Sequence, residues 1–243
     1  MLKEEYRERL YRNYVSRVDP GREKITRAEI ERTFTIWDRH FKGHLPRDRE
    51  AEIIDIGCGT GGFVYYLHRS GYGRAVGIDV SRDQVEASRN LGIPGISRDD
   101  FLAHLAARPG NYDAVIARDV LEHFSKEEVI ELLLLIRKAL REDGVCLIQT
   151  LNAASPFWPR YRYGDLTHEM SFTDSSVRSA LLLAGFREAA SFPAPPVFRH
   201  SLKSAFRVAL WKLVELAWRA ALLAESGSTG GIVTGNLITV ARR

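Results

Sequence analysis

A run of glycines preceded by an acid is the first feature whose spacing could do chemistry. Asp55-x-Gly57-x-Gly59-x-Gly61 closes a short apolar run, Glu52-Ile53-Ile54-Asp55-Ile56, after which Phe63, Val64, Tyr66 and Leu67 recur at helical spacing. Glycines in such a turn let the backbone approach a ligand closely and aim a helix N-terminus at it. Gly57-x-Gly59-x-x-Gly62 also satisfies a dinucleotide fingerprint, and Asp79 follows Gly62 by 17 residues, near the distance expected of an acid that holds ribose hydroxyls. Two ligands therefore stay open, NAD and S-adenosylmethionine. An acid at Asp55, two residues before the first glycine, suits an ammonium beside a sulfonium better than a pyrophosphate.

Histidine supplies a second kind of chemistry, because an imidazole of pKa about 6.5 can take a proton from a hydroxyl near neutral pH. Of seven histidines, His123 and His168 fall beyond the ends of the expected fourth and fifth strands, where open α/β sheets bind ligands. His40, His44, His68, His104 and His200 fall on helices or flanks and read as packing or surface residues. His40 and His44 have metal-like spacing, but Gly43 and Pro46 place them at a helix end.

The elements that position these residues alternate. Strands are expected over 52–56, 75–79, from 95, over 112–117 and 144–150, with helices between them capped by Ser81 and Ser125. That order predicts a doubly wound α/β fold with a parallel sheet covered on both faces. A helix from Thr173 or Asp174 to Ala184 follows, then strands near 187–192 and 236–241, with a long helical insertion between them. Upstream, 3–17 and 26–43 read as two helices around the turn Asp19-Pro20-Gly21. The domain plan is an N-terminal helical cap, 1–49, and a ligand-binding domain, 50–243.

Ile53-Ile54-Asp55-Ile56-Gly57-Cys58-Gly59-Thr60-Gly61 resembles the first motif of class I S-adenosylmethionine-dependent methyltransferases, and the later motifs arrive in that family's order over residues 50–192. The resemblance implies a Rossmann-like seven-stranded sheet with S-adenosylmethionine as cofactor. It implies that Asp79 holds the ribose hydroxyls, and that Asp100, preferred to Asp99 because Phe101 follows it, accepts from the adenine amino group. Asp119-Val120-Leu121-Glu122-His123 resembles the signature that borders the methyl donor. The cofactor-binding candidates are thus Asp55, Gly57, Cys58, Gly59, Gly61, Asp79, Val80, Asp100, Phe101, Arg118, Asp119 and His123.

The segment 152–172 is too long for an idle connection and reads as a substrate loop. Its aromatic residues could stack on a sugar face while Arg160 and Arg162 hold a phosphate or carboxylate. Tyr163-Gly164-Asp165-Leu166-Thr167-His168-Glu169-x-x-Phe172-Thr173, with Ala184-Gly185-Phe186, resembles a bacterial methyltransferase subgroup associated with glycan and surface-polysaccharide biosynthesis. That likeness implies a sugar hydroxyl as acceptor, on a nucleotide sugar, a lipid-linked saccharide or a growing polymer. By position His168 is the first candidate for the base, followed by Glu169, Asp165 and His123. Asp119, Asp165 and Glu169 could contribute to a divalent ion, but no spaced carboxylate set compels a metal.

Charge bounds the partners. The chain carries a net +4 over 243 residues, distributed as +3 in residues 1–50, −4 in 51–150 and +5 in 151–243. The acidic centre is the cofactor domain, so the basic surplus belongs to the flanks and points to anionic glycan carriers or a membrane surface. Against a nucleic-acid methylase, the fourth strand ends in Arg118-Asp119-Val120-Leu121 and not in an Asn/Asp-Pro-Pro-aromatic turn, and no dense basic stripe is present. A quinone, amine or natural-product acceptor is the alternative within small-molecule chemistry, and a non-catalytic relic of the fold is argued against by the intact glycine turn. Within the insertion 198–228, Leu202, Phe206, Ala209, Leu213 and Ala220 form one apolar face, and Trp211, Val214 and Trp218 another beside Lys203 and Arg207. A helix apolar on two sides wants two partners, the domain itself and either a second copy or a membrane headgroup layer. Two separated cysteines and an N-terminus charged from its third residue fit a reducing cytoplasmic compartment, with the inner face of the membrane as a second location.

Overall fold

Ile53–Ile56 forms β1 with all four residues buried, as a strand covered on both faces requires. The computed structural model describes residues 25–199 and 201–243, so the expected helix 3–17 and His200 lie outside the described residues. On one side of β1 run β2 (Val76–Asp79) and β3 (Ile96–Arg98), and on the other β4 (Tyr112–Arg118) and β5 (Leu140–Leu151), all parallel. β6 (Glu188–Pro193) and β7 (Asn236–Arg242) complete a seven-stranded sheet in the order β3-β2-β1-β4-β5-β7-β6, with β7 antiparallel to both neighbours. The sheet is therefore mixed at its C-terminal edge. Chain direction across the sheet reverses between β1 and β4, the place where open α/β sheets form a ligand crevice.

Helices cover both faces. N-terminal to the sheet lie α1 (Arg27–Glu31) and α2 (Phe34–His40), and between the strands come α3 (Gly62–Arg69), α4 (Arg82–Asn90), α5 (Phe101–Ala106) and α6 (Lys126–Ala139). After β5 come α7 (Trp158–Gly164), α8 (Asp174–Leu183) and α9 (Leu202–Ser226). Ile54, Ile56, Leu132, Leu133, Ile136 and Leu181 pack one side of the sheet, and Ile53, Phe63, Tyr66, Leu67, Ile116 and Leu147 the other. The alternation of Ile53 and Ile54 between the two cores is the two-residue period of a strand.

Most elements fall within a residue or two of their expected places; the differences have local causes. The helix expected over 26–43 breaks after α1, where the Thr33 hydroxyl donates to the Ile30 carbonyl at 2.6 Å. Such back-bonding competes with helix continuation. β5 starts at Leu140, four residues before the expected Gly144, and turns through Asp143 at φ 61°. The substrate segment contains α7, whose first turn holds Pro159, a position that tolerates a missing N–H.

Candidate active site

The registers of the central strands bring the chemical residues together. Ile56 pairs with Ile78 of β2 and with Ala117 of β4, so the Gly57 turn, Asp79 and Arg118-Asp119 leave the sheet at one level. Gly57 has φ 63°, and a Cβ there would stand 2.7 Å from Val120 Cγ2, so any side chain at this turn is strained and displaces Val120. Asp79 fixes the turn from β2. Its Oδ2 accepts from the Gly59 N–H and its Oδ1 from the Ser81 N–H, both at 2.8 Å.

One cleft of about 1230 Å³ gathers eleven of the twelve cofactor candidates, Gly61 being the exception. Gly61 instead stands at the left-handed N-cap of α3. Val80, 38% exposed, and Phe101 give the cleft apolar walls, and Asp100 lines it while its Oδ1 caps α5 through the Leu102 and Ala103 N–H groups at 2.9 and 3.0 Å. Asp99 is held elsewhere, accepting from His104 Nδ1 at 2.7 Å. Asp119, at φ 56°, takes the left-handed backbone that aspartate tolerates better than most residues, and both its oxygens accept from Gln149 Nε2.

Buried polar atoms without partners mark where a ligand's groups would go. Asp55 Oδ1, Gln84 Oε1 and Arg118 Nε are such atoms, and all three residues line the cleft. Burial pushes the Asp55 carboxyl up to about 7 against the attraction of Arg118, and the charges of Asp79 and Asp119 push it further the same way. Arg118 is boxed by aromatic rings, its guanidinium carbon 4.6 Å from the Phe63 centroid and 5.0 Å from that of Trp37. An acceptor beside a donor at the mouth of a glycine turn is what an amino-acid end, ammonium plus carboxylate, needs. The residues present therefore fit S-adenosylmethionine, which Asp55, Arg118, Gln84 and Asp79 could hold.

His123 and His168 also line the cleft, their rings tilted against each other with centroids 4.8 Å apart. Thr167 Oγ1 donates to Asp165 Oδ1 at 2.7 Å, so it accepts from His123 Nδ1 at 2.9 Å. His168 Nδ1 donates to the Tyr161 carbonyl at 2.8 Å, which leaves the lone pair on Nε2. That Nε2 lies 4.0 Å from Asp165 Oδ2. Burial, and then the neighbouring His168, lower His123 to about 4, so it is neutral at physiological pH. Asp165 is near His168 without lining the cleft, and Glu169 does not enter it: its side chain is exposed, while its N–H donates to the Glu122 carbonyl at 2.7 Å. The two expected phosphate holders also stay outside the cleft lining; Arg162 donates to the Glu169 carbonyl at 2.6 Å and Arg160 is exposed. The remaining described histidines are structural, as expected: His40 and His68 bond backbone carbonyls, His44 lies against Phe192, and His104 joins Asp99 to Tyr112.

Three residues of the site carry no assigned role in the sequence reading. Gln84 stands in the first turn of α4 just past its Ser81 cap, a position a helix-start argument could have marked. Trp37 comes from α2 and carries no motif. Glu122 is fully buried in the cleft wall, its Oε2 accepting from the Thr150 hydroxyl at 2.9 Å and its Oε1 without a partner. Burial, with the Asp119 charge second, pushes its carboxyl up to about 8. Folded Glu122 thus keeps a proton that the unfolded chain releases near pH 4.5. Its contribution to stability is full below that value and is lost as pH rises through about 8. Glu122→Gln removes the charge and keeps the shape, so its melting temperature, relative to wild type, is expected to gain roughly 3 °C or more between mildly acidic and mildly alkaline buffer. Parallel pH profiles for the two proteins would show that Glu122 is ionised in the fold.

Residues 8–212 match a family described as a methyltransferase domain, a span that covers most of the chain. The chain belongs to this family. It is a methyltransferase domain, with the fold of class I S-adenosylmethionine-dependent methyltransferases. The methyltransferase is similar in structure to an S-adenosylmethionine-dependent methyltransferase from Archaeoglobus fulgidus, at TM-score 0.63 and 19% identity, over 95% of this chain and 98% of that one. It is also similar to phosphoethanolamine N-methyltransferase 2 of Haemonchus contortus in complex with S-adenosylmethionine, at TM-score 0.58 and 17% identity, over 96% of this chain and 60% of that one. In sequence it is 30% identical over 141 residues to a tRNA U34 carboxymethyltransferase of Shewanella putrefaciens, which covers 54% of this chain and 42% of the relative. The chain therefore spans less than half the length of the curated relatives it matches.

Proposed function

We propose that the methyltransferase transfers a methyl group to a hydroxyl of a sugar-bearing acceptor, with His168 as the base. One observation carries the reading: a part-buried pair of imidazoles lining the cofactor cleft, whose hydrogen bonds leave the lone pair of His168 on Nε2, 4.0 Å from Asp165 Oδ2. The sugar is supported by the resemblance of 163–173 to methyltransferases of glycan biosynthesis.

S-adenosylmethionine, when bound, supplies an electrophilic methyl carbon on a sulfonium. The protein's part is alignment, exclusion of water and disposal of one proton. Asp55 and Arg118 orient the amino-acid end, Asp79 and Gln84 the ribose, and Val80, Asp100 and Phe101 the adenine. The acceptor hydroxyl, on taking the methyl group, would give its proton to His168 Nε2. The Tyr161 carbonyl holds the ring through Nδ1, and the Asp165 carboxylate, 4.0 Å from that same Nε2, stabilises the imidazolium through its charge. His123, fixed by Thr167 and neutral, is a positioning residue beside the hydroxyl.

Asp55 makes this assignment measurable without turnover. Its carboxyl, at about 7, is mostly protonated in mildly acidic buffer, whereas an ammonium beside it favours the ionised form. Cofactor binding is therefore expected to release close to one proton near pH 6, seen as a calorimetric enthalpy that changes with the ionisation enthalpy of the buffer. Asp55→Asn should remove that dependence. A wild-type enthalpy independent of buffer would take Asp55 away from the ammonium.

A second reading, an RNA acceptor, is favoured by the similarity to tRNA-acting relatives over about half of the chain. Incubation with labelled cofactor and a panel of nucleotide sugars, lipid-linked saccharides and RNA separates the two. Label on a saccharide supports the proposal. Label on RNA alone would replace it.

A further inference from the structure

α9 is 25 residues long and has no fully buried residue. Its inner side rests on the start of the substrate segment: the Trp211 and Phe157 rings are 6.4 Å apart, and Trp218 Nε1 donates to the Ala154 carbonyl at 3.2 Å. The opposite side meets water. At 100° per residue Leu202, Phe206, Leu213 and Leu216 share that side, and they are 91%, 70%, 63% and 67% exposed. Leu210 and Leu223, also exposed, widen the stripe at its edges. A run of large apolar groups along several turns of helix is more than the scattered exposure of an ordinary surface.

The charges around the stripe select what covers it. Lys203 lies exposed along one flank, with Arg207 one turn on and further round toward the tryptophan side, and Lys212 lies exposed along the other. The acids of α9 stay off the stripe, and Glu215 is neutralised locally by Lys212 and Arg219, at 3.1 and 3.0 Å. Leucine and phenylalanine on one face with basic residues on its borders are the composition of a helix that lies in the headgroup region of an anionic bilayer. No helix among the described residues is long and apolar enough to cross a membrane, so α9 would lie along one. Parallel pairing of two copies through this stripe would instead bring the Lys203 flank against the Lys212 flank, basic against basic.

We propose that α9 docks the methyltransferase on the surface of an anionic phospholipid membrane, its apolar stripe in the acyl boundary and its lysine and arginine borders among the phosphates. Because the helix rests on Ala154 and Phe157, docking places the substrate segment beside the lipid surface. The proposal stands on the surface of α9 and holds whether or not the acceptor is a sugar.

The test is sedimentation of the full-length protein with phosphatidylcholine vesicles and with vesicles that also contain phosphatidylglycerol. Binding is expected to the second kind and to weaken in high salt. Lys203→Gln with Arg207→Gln should weaken it by about 30-fold, from ~1 kcal/mol per basic residue near the surface. Phe206→Ser with Leu213→Ser should abolish it. Calorimetric titration with S-adenosylmethionine, unchanged in all variants, shows that they are folded. Equal binding to both vesicle types, or binding to neither, would overturn the proposal. So would a dimer in solution that Phe206→Ser with Leu213→Ser converts to monomer, since the stripe would then belong to a second copy.

Discussion

Asp79→Ala is expected to weaken S-adenosylmethionine binding by at least about 100-fold. The carboxylate does two jobs at once. Its oxygens hold the Gly59 and Ser81 N–H groups at 2.8 Å, which sets the glycine turn against the end of β2. In the cleft it also faces the place assigned to the ribose. Hydrogen bonds to a charged group contribute about 1.5–3 kcal/mol each, so loss of two of them corresponds to roughly 10²–10⁴ in affinity when both act on the bound state. Asp79 is at most 9% exposed, and burial raises its carboxyl while the two N–H donors oppose that. Removing it therefore leaves buried donors unpaired, and part of the loss will appear as lower stability. Asp79→Asn keeps the shape and one acceptor and should fall between alanine and wild type. Titration calorimetry on both variants, with thermal melting alongside, separates the two contributions. Affinity within threefold of wild type for the alanine variant would contradict the placement of the cofactor.

His168→Ala is expected to leave cofactor affinity unchanged and to slow methyl transfer by about 10²–10⁴-fold, the usual worth of a positioned base. The chain's own bonds argue for this residue before its neighbour. His168 Nδ1 is occupied by the Tyr161 carbonyl, which leaves the lone pair on Nε2, 4.0 Å from Asp165 Oδ2. His123 is disfavoured as proton holder because burial and His168 lower it to about 4. Single-turnover rates with saturating cofactor read the chemical step. Asp165→Asn should lower the same rate by a smaller factor, since the base remains. A His168→Ala rate equal to wild type, with His123→Ala slow, would move the base to His123.

The cofactor half of the site was legible because each of its parts is a local pattern tied to a strand end. Asp55 lies near the end of β1 with the glycine turn after it, Asp79 ends β2 and Asp119 follows β4, and strand ends in a parallel sheet lie together once the order is known. Asp100 lines the cleft, whereas Asp99 is turned to His104. The acceptor half was less legible. Its residues are brought together by irregular chain: Thr167 reaches His123 across 44 residues, and nothing in the spacing foretells that Asp165 lies near His168 Nε2 or that Glu169 turns outward. Arg118 was named from its motif, but its box of Trp37, Phe41 and Phe63 joins three elements and has no sequence signal. Likewise the two apolar faces of α9 were visible in its periodicity, while only the fold shows that the tryptophan face meets the domain.

The most direct test of a hydroxyl acceptor is the chemical identity of the atom that receives the methyl group. Product formed with S-adenosylmethionine carrying a ¹³C-labelled methyl should show, by carbon–proton correlation spectra, a methyl ether on a sugar ring carbon. A label bonded to nitrogen or sulfur, or attached to a nucleobase, would contradict the account.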